Sequence, residues 1–357
     1  MKRRASRAIS VGNLTIGGDS PISIQSMTNT DTHDINATYD QTMRLYEAGC
    51  DIVRITAPDL ESVKTFQVLK ARGVPVPLVA DIHFNHEIAI ACAESGVDKI
   101  RINPGNIGSD ERVRAVVEAC KRSGTPIRIG VNSGSLEKHI LARHGAPTAA
   151  ALAESALYHA SLLEKFDYNN IVLSVKASDT VTMIEANRIL AEKTDYPLHL
   201  GVTEAGGGDS AIVKSSIGIG TLLAEGIGDT VRVSLTDDPV NEVYAAREIL
   251  RALGLAKNAG MDIVSCPTCG RTKINLIPLL REFKERVRLE GLDRMNVKVA
   301  LMGCAVNGPG EAREADLGIA GGNGEGLIFK KGEILRKVSE DMLLDELILE
   351  IKRLNND

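Results

Sequence analysis

The amino-acid sequence predicts an α/β fold, a (βα)8 TIM barrel followed by a small α/β domain. Three observations lead to this prediction. Short runs rich in Val and Ile alternate with longer helical patterns from residue 22 to about 253, giving eight strand–helix units of about 30 residues and no ninth. A short polar link follows at 254–261. The 357 residues of the chain exceed one average domain and suit two.

The eight runs have the length and composition of strands buried on both faces of a parallel sheet. Helical patterns such as Asp110–Ser123 and Thr148–Phe166 separate them. The segment 9–18, before the first strand, indicates a β-hairpin that plugs the bottom of the barrel. The predicted strands are Ile22–Gln25, Ile52–Thr56, Val76–Asp81, Lys99–Asn103, Ile127–Val131, Ile171–Val175, Leu198–Val202 and Val231–Leu235.

The link at 254–261 separates a barrel domain at 1–253 from a second domain at 262–357. Apolar runs and helical patterns predict a small α/β unit there, with a glycine-rich segment at 303–326. Its predicted elements are a strand before Cys266, a helix at about Asn275–Glu290, a strand at Val297–Leu301, a strand near Leu327–Lys330 and a last helix at about Asp341–Leu354.

Composition and charge argue against several classes of protein. The formal net charge is −5, and the chain has six Tyr, five Phe and no Trp, so neither a basic surface nor stacking platforms for nucleic acid are expected. No apolar run reaches the roughly 18 residues of a membrane-spanning helix. The basic start MKRRASRAIS lacks the apolar stretch of a secretory signal. We therefore expect a cytoplasmic protein that binds neither nucleic acid nor membranes.

Four predicted strands carry an arginine between β-branched residues: Arg54, Arg101, Arg128 and Arg232. Because side chains alternate along a strand, these arginines face the barrel axis if their Ile and Val neighbours face the helices. Lys176 ends the sixth strand. Several cations that converge on one interior need anions to answer their charge.

Asp81 and Glu204, also at strand ends, can answer only part of this charge. The remainder predicts an anionic ligand with several oxygens, and a diphosphate fits because arginine binds phosphate through paired hydrogen bonds. Structural ion pairs with other barrel carboxylates are the alternative. Glu204 is a candidate general acid, and His83 and His199 are further candidates for proton transfer.

Polar residues and glycine-rich turns gather at the carboxyl ends of the strands, where TIM-barrel enzymes have their active sites. The turns N-P-G-N at Asn103 and N-S-G-S at Asn132 allow backbone N–H groups to approach a phosphate closely. Thr203 and Ser234 lie at the ends of the seventh and eighth strands. The mouth of the barrel is therefore the predicted active site.

Three cysteines in the second domain predict a metal centre. Cys266 and Cys269 form a C-x2-C pair, and Cys304 follows after a helix and a strand. A zinc ribbon needs a second C-x2-C or a pair of histidines, and no histidine follows His199. Three thiolates with one distinct or open position suit a 4Fe–4S cluster. Zinc and unligated core cysteines are the alternatives.

With both halves considered, the sequence resembles the 4-hydroxy-3-methylbut-2-enyl diphosphate synthases of the non-mevalonate isoprenoid pathway. The resemblance covers nearly the whole chain, and the short link is similar to that of the two-domain bacterial form. The motifs that carry it are QSMTNTDT at 25–32, VADIHF at 79–84, KIRINPGNIG at 99–108, IRIGVNSGSL at 127–136, SVKASD at 174–179, LGVTEAG at 200–206, SCPTCGR at 265–271 and GCAVNGPGE at 303–311.

The resemblance implies a reaction, a cofactor and an electron donor. The reaction is the reductive ring opening of 2-C-methyl-D-erythritol 2,4-cyclodiphosphate, which uses two electrons and loses the C3 oxygen as water. The cofactor is one 4Fe–4S cluster per chain, whose unique iron binds the substrate oxygen. Its implied ligands are Cys266, Cys269, Cys304 and Glu311. Flavodoxin or ferredoxin is the implied donor, and the sequence does not choose between them.

The resemblance also assigns roles to individual residues. Glu204 is implied to deliver a proton near the departing oxygen, and Glu311 to be displaced from the cluster when the substrate binds. The implied substrate contacts are Arg54, Arg101, Asn103, Arg128, Asn132, Lys176, Thr203, Arg232 and Ser234.

The length of the link predicts how the active site is assembled. The eighth barrel helix starts at the mouth and ends at the opposite face, about 22 Å away for about 15 residues. A link of about eight residues spans at most about 28 Å. We therefore expect the cluster domain to close over the barrel of a second copy, in a two-fold homodimer with two composite active sites.

Three other functions remain open from the sequence. The first is a lyase that uses an open iron as a Lewis acid and consumes no electrons. The second is a phosphate-sensing iron–sulfur protein without turnover. The third is a pterin-type transferase barrel with a zinc ribbon, which metal analysis separates from an iron–sulfur enzyme.

Overall fold

The computed structural model describes residues 2–256, 260–305 and 313–354. The chain divides into two units, Met1–Ala256 and Lys257–Asp357. Each unit has a core and a sheet of its own.

Eight parallel strands form the sheet of the first unit. Their order is β8-β7-β6-β5-β4-β3-β10-β9, and a bridge between Leu173 and Leu198 joins the two end strands. The predicted (βα)8 barrel is confirmed. The strands are β3 Ser23–Met27, β4 Ile52–Thr56, β5 Leu78–Asp81, β6 Lys99–Ile102, β7 Ile127–Asn132, β8 Ile171–Lys176, β9 His199–Leu200 and β10 Thr230–Val231.

Helices follow the barrel strands and cover the outside of the sheet. Asn, Asp or Thr side chains accept a hydrogen bond from the first turn of several of them, which satisfies N–H groups that lack a partner within the helix. The helices are α1 Ile35–Glu47, α2 Val63–Ala71, α3 His86–Glu94, α4 Pro104–Ile107, α5 Asp110–Ser123, α6 Lys138–His144, α7 Ala149–Glu164, α8 Thr180–Lys193, α9 Gly208–Ala224 and α10 Pro239–Ala252.

Alternation along the strands separates an apolar shell from a polar interior. In β6, Ile100 and Ile102 belong to the buried core between sheet and helices, so Lys99 and Arg101 face inwards. The bottom of the barrel is closed by an antiparallel hairpin of β1, Ile9–Val11, and β2, Leu14–Ile16. Its buried side chains pack with inward residues of three strands, as predicted. The packed residues are Ile9, Val11, Ile16, Ile52, Val79 and Val172.

The second unit is a five-stranded sheet with two helices against it. The order is β11-β12-β13-β14-β15, and the first two pairings are parallel while the others are antiparallel. The elements are β11 Asp262–Ser265, α11 Leu276–Leu289, β12 Lys298–Met302, β13 Leu317–Gly321, β14 Glu325–Lys330, β15 Glu333–Ser339 and α12 Leu343–Leu354.

Strands β13 and β15 were not predicted. β13 lies in the glycine-rich segment, and the ring of Phe329 occupies the space that a β-carbon on Gly318 would need, 2.3 Å away. β15 is an edge strand whose side chains are mostly exposed and charged, so it lacks the apolar signal of a core strand. Over the described residues, no helix combines the length and hydropathy that a membrane span requires.

Candidate active site

Cationic side chains fill the interior of the barrel. Apart from Lys99, which follows Asp98, each lies between residues whose side chains belong to the shell under the helices, and alternation turns all of them inwards. Arg101 and Arg128 are paired across β6 and β7, which places two guanidinium groups side by side. The set comprises Arg54, Lys99, Arg101, Arg128, Lys176 and Arg232.

Asp81 forms ion pairs with two of the arginines. Its Oδ1 lies 3.2 Å from Nη1 of Arg101, and its Oδ2 lies 3.8 Å from Nε of Arg54. Burial would raise the pKa of Asp81, but the charges of Arg54 and Arg101 outweigh burial and set the pKa at about 2. This carboxylate therefore stays ionised and holds the two arginines on one side of the barrel.

The carboxylate that answers Arg232 is Glu242 of α10. Nε and Nη2 of Arg232 donate to Oε2 and Oε1 of Glu242, at 3.2 Å each, and Oγ of Ser26 donates to Oε2 at 2.8 Å. The expectation that Glu204 shares in this balance is wrong, because its side chain is exposed and forms no ion pair within the described residues. Glu242 was not predicted because it lies on a helix.

Arg128 and Lys176 have no carboxylate partner among the described residues. Arg128 is 1% exposed, and its Nε and Nη2 form no hydrogen bond there. Burial lowers the pKa of Arg128 well below its usual value, and the neighbouring Arg54 and Arg101 lower it further. The pKa of Lys176 is lowered by burial and by Arg232. Two buried cationic groups therefore remain available to an anionic ligand.

Lys99 and His199 form a deeper layer of the interior. Lys99 was not among the predicted site residues, whereas His199 was a candidate for proton transfer. Lys99 is fully buried, and its Nζ has no hydrogen-bond partner in the described structure. Nδ1 of His199 lies 3.4 Å from Oγ1 of Thr230, and its Nε2 is without a partner there. A signal for Lys99 was present, because it precedes Arg101 by two residues on the same strand.

Replacing Lys99 by Met is expected to stabilise the protein most at neutral pH. Burial first, then Arg128 and Arg54, hold the pKa of Lys99 well below the 10.5 of an exposed lysine. Between the two pKa values the unfolded chain binds more protons, so wild-type stability rises with pH in that window. Lys99→Met removes this dependence, and the advantage of the variant should shrink from pH 7 towards pH 10. Urea unfolding at several pH values measures it.

The matched control is Lys64→Met on α2, where the lysine is exposed. This change removes the same charge from the chain without removing a buried one. We expect no pH-dependent difference from the wild type. A Lys99→Met advantage that is constant from pH 7 to pH 10 would contradict a lowered pKa for Lys99.

Two glycines make room for the cations. A β-carbon on Gly130 would lie 2.4 Å from Nε of Arg101. A β-carbon on Gly201 would lie 2.8 Å from Nζ of Lys176 and 2.6 Å from the carbonyl oxygen of Arg232. Gly130 on β7 and Gly201 directly after β9 both face inwards, so the long side chain beside each occupies the space that a larger residue would take.

The predicted polar contacts lie at the mouth. Asn103 is buried, its Oδ1 accepts from the N–H of Gly105 at 3.1 Å, and its Nδ2 has no partner within the described residues. Asn132, at the end of β7, is half-buried, and its N–H donates to Oγ of Ser135 at 3.3 Å. Half-buried Thr203 and Ser234 follow β9 and β10. The barrel thus brings these residues to the same end of its strands.

Glu204 lies in the turn after β9 with a φ of +53°, in the left-handed region. This conformation costs a residue other than glycine free energy, and such strain clusters at functional sites. Its side chain is exposed at the end of the barrel where the predicted contacts lie. His83, another candidate, is half-exposed at the end of β5, with Nε2 3.9 Å from Oδ2 of Asp81.

Two of the cysteines lie at one edge of the second sheet. Cys266 directly follows β11, and Cys304 follows β12, the parallel neighbour of β11. The N–H of Gly303 donates to Sγ of Cys266 at 3.2 Å, and the N–H of Lys273 donates to the carbonyl of Gly303 at 2.8 Å. The loop after β11 therefore packs against the segment that carries Cys304.

Cys269 lies in that loop and is exposed. The backbone N–H and the side chain of Arg271 lower its pKa, which favours the thiolate. Over the described residues, no three Cys, His, Asp or Glu side chains are close enough to hold a metal ion. Glu311 lies outside them. The donor chemistry, three thiols with a backbone N–H already directed at one sulfur, fits an iron–sulfur cluster.

Family models match both units of the chain. The model described as the GcpE TIM-barrel domain matches residues 6–247, and the model of the GcpE protein C-terminal domain matches residues 262–353. These matches follow the barrel and the small sheet unit.

Curated relatives match over nearly the full length. A protein of Clostridium perfringens is 57% identical over 348 residues, which are 98% of this chain and 98% of that protein. A protein of Caldanaerobacter subterraneus subsp. tengcongensis is 55% identical and covers 99% of this chain and 98% of its own length. Both are named 4-hydroxy-3-methylbut-2-en-1-yl diphosphate synthase (flavodoxin).

Among solved structures, the similarity concerns the fold alone. Dihydropteroate synthase of Yersinia pestis gives a TM-score of 0.50 at 13% identity and covers 69% of this chain and 98% of that one. Phospho-2-dehydro-3-deoxyheptonate aldolase of Thermotoga maritima gives 0.51 at 15% identity and covers 70% and 75%. At such identities a shared barrel carries no statement about activity.

Proposed function

We propose that this chain, which belongs to the GcpE family, catalyses the reaction for which its relatives are named. It opens the ring of 2-C-methyl-D-erythritol 2,4-cyclodiphosphate reductively, to 4-hydroxy-3-methylbut-2-enyl diphosphate. The step consumes two electrons and two protons, breaks the bond from carbon to the bridging phosphate oxygen and releases the C3 oxygen as water. The observation that supports it best is the set of inward arginines that two carboxylates only partly answer.

The barrel, at 1–253, binds the cyclodiphosphate. Arg128 and Lys176 carry buried positive groups without a carboxylate partner in the described residues, and they take the phosphate oxygens first. Arg54 and Arg101, held by Asp81, and Arg232, held by Glu242, offer their remaining N–H groups. Asn103, Asn132, Thr203 and Ser234 complete the contacts at the mouth.

Glu204 delivers the proton to the leaving C3 oxygen. It lies at the end of the barrel where these contacts meet, and its strained backbone fixes the direction in which its side chain leaves the turn. A carboxyl group that donates in the transition state accelerates a reaction by about 10²- to 10⁴-fold. The arginines neutralise the diphosphate as it becomes a free group.

The domain at 262–357 would hold one 4Fe–4S cluster through Cys266, Cys269 and Cys304, with Glu311 as the fourth ligand. A cluster held there would pass on the two electrons one at a time, with flavodoxin as the donor. The flavodoxin assignment follows the names of the relatives. Free thiols at the surface, such as that of the exposed Cys269, require a reducing compartment, so we place the enzyme in the cytoplasm.

Anaerobic turnover tests the proposal. Reconstituted protein should contain about four iron and four sulfide per chain, and it should convert the cyclodiphosphate with reduced flavodoxin at two electrons per product. A parallel assay with reduced ferredoxin compares the turnover rates with the two donors and identifies the better one. Product formation without electron consumption would instead identify a lyase, and one zinc per chain would refute the cluster.

We also propose a homodimer with composite sites, because α10 runs from the mouth towards the bottom of its own barrel before the link begins. Arg128→Met and Cys304→Ser chains should each be inactive. After dissociation and reassociation in equal amounts, about a quarter of the wild-type activity should return, since half the dimers then have one intact pair. No recovery despite proven chain exchange would place each active site within one chain.

A further inference from the structure

Glu137 is a partly buried carboxylate at the mouth that the proposed reaction does not use. It follows the turn after β7 and stands at the start of α6, but its side chain does not cap that helix. It turns instead to α7, where Nε2 of His159 lies 2.5 Å from Oε1 and Oγ of Ser155 donates to Oε2 at 2.7 Å. Ser155 and His159 are four residues apart, on one face of α7.

The order in which Ser155, Glu137 and His159 are hydrogen-bonded excludes a nucleophilic role for Ser155. In a serine relay the histidine stands between the hydroxyl and the acid, so that it can accept the hydroxyl proton. Here the carboxylate stands in the middle, and both Ser155 and His159 bond to it. Ser155 and His159 are also fully buried. The arrangement fixes a carboxylate in place and does not activate a hydroxyl.

The fixed carboxylate supports the turn that carries Asn103. A β-carbon on Gly105 would lie 2.9 Å from Cε1 of His159, 3.1 Å from Oε1 of Glu137 and 3.4 Å from Oδ1 of Asn103. Since the φ of Gly105 is not positive, close packing and not backbone conformation requires glycine here. The N–H of Gly105 donates to Oδ1 of Asn103 and thereby orients its carboxamide.

We propose that Glu137, held by His159 and Ser155, is a positioning residue for substrate binding. Glu137 packs closely against Gly105 and thereby fixes the turn of residues 103–106. This turn sets the direction of the Asn103 carboxamide, whose Nδ2 has no partner among the described residues. This inference rests on the proposed function, in which Asn103 contacts the cyclodiphosphate. It adds a carboxylate that never touches the ligand.

The test is a set of variants of the reconstituted holoenzyme. Glu137→Ala and His159→Ala should raise KM for the cyclodiphosphate by about 10- to 100-fold, and change kcat less, because a supporting group of this kind affects binding geometry. His159→Gln should restore most of the lost affinity, since its amide nitrogen can donate to Glu137 from nearly the same place as Nε2. Losses confined to protein yield or stability, with unchanged KM, would overturn the proposal.

A matched control lies between the same two helices. His144 of α6 bonds through Nε2 to Oε2 of Glu154 of α7, at 2.7 Å, and neither residue contacts Gly105. His144→Ala removes a carboxylate–imidazole pair from the same region, one more exposed than that of His159, and it should leave KM unchanged within about twofold. An equal rise in KM for His144→Ala and His159→Ala would assign the effect to helix packing.

A double-mutant cycle separates positioning from general destabilisation. In an Asn103→Ala background, His159→Ala should raise KM by less than about threefold further, because the group that it positions is gone. If the effects of His159→Ala and Asn103→Ala on KM multiply fully in the double variant, the two residues are not coupled and the proposal is refuted. Calorimetric binding of inorganic pyrophosphate repeats the comparison without turnover. If the wild-type protein does not turn over the cyclodiphosphate, the proposed function is wrong. If the wild type and Glu137→Ala bind pyrophosphate with equal affinity, the positioning role is wrong.

Discussion

Replacing Arg128 by Met is expected to weaken cyclodiphosphate binding by about 100-fold or more and, in the substrate-free protein, to raise the free energy of unfolding. Arg128 is almost fully buried, two of its nitrogens lack partners within the described residues, and Arg54 and Arg101 lie nearby. A buried cation without a counter-ion destabilises a fold. Replacing even buried ion pairs by apolar residues of similar volume is often neutral or stabilises proteins by about 1–4 kcal/mol. The same guanidinium is the strongest partner for a buried phosphate.

Two measurements on one pair of proteins check this expectation. Calorimetry with the cyclodiphosphate gives the affinity, and urea unfolding without it gives the stability. Arg114→Met on α5 is the control, because Arg114 is exposed and the chemical change is the same. It should change neither quantity appreciably. A variant at position 128 that is less stable and still binds normally would mean that Arg128 is a structural element of the barrel wall.

The second large effect is expected at Glu204. Glu204→Gln should lower kcat by about 10²- to 10⁴-fold with little change in KM, because it removes the proton and keeps the shape of the side chain. Glu204→Gly should lose the same activity and also raise the free energy of unfolding by about 1 kcal/mol, since glycine adopts a φ of +53° without strain. The pair thus separates the chemistry of the carboxyl group from the strain of its backbone.

Asp209→Asn is the control for Glu204→Gln. Asp209 is an exposed carboxylate in the first turn of α9, on the loop side of the same strand. Its replacement should leave kcat within about twofold of the wild type, because it lies outside the proposed contacts. If Glu204→Gln keeps more than a tenth of the wild-type kcat, another group delivers the proton, and His83 is the next candidate.

The residues that the sequence predicted correctly are those whose signal is local. Alternation along β4, β6 and β7 placed Arg54, Arg101 and Arg128 inside the barrel, and its continuation past the end of β10 did the same for Arg232, because the period of a strand leaves two faces only. Lys99 faces the interior by the same alternation, since it lies two residues before Arg101 on β6, but it was not predicted as a site residue. The glycine-rich β13 and the charged edge strand β15 were missed, since neither has the apolar pattern of a buried strand.

Other residues depend on contacts that local patterns do not encode. Glu242 bonds to Arg232 from a helix, and the available hint was a carboxylate on the apolar face that Val243, Ala246 and Leu250 define. Glu137 meets its two partners only because α7 returns beside the mouth, 18 and 22 residues later. Such pairs are set by tertiary packing.

The hairpin of residues 9–18 determines at which end of the barrel the positive potential of the interior reaches solvent. Its apolar side chains close the bottom, so the positive potential of the interior reaches solvent mainly through the open end of the strands. Walls of low dielectric constant concentrate field lines in this way and can raise the association rates of charged ligands by about 10- to 10³-fold. Although the net charge of the chain is −5, we therefore expect its association rate with an anionic substrate to fall as salt concentration rises.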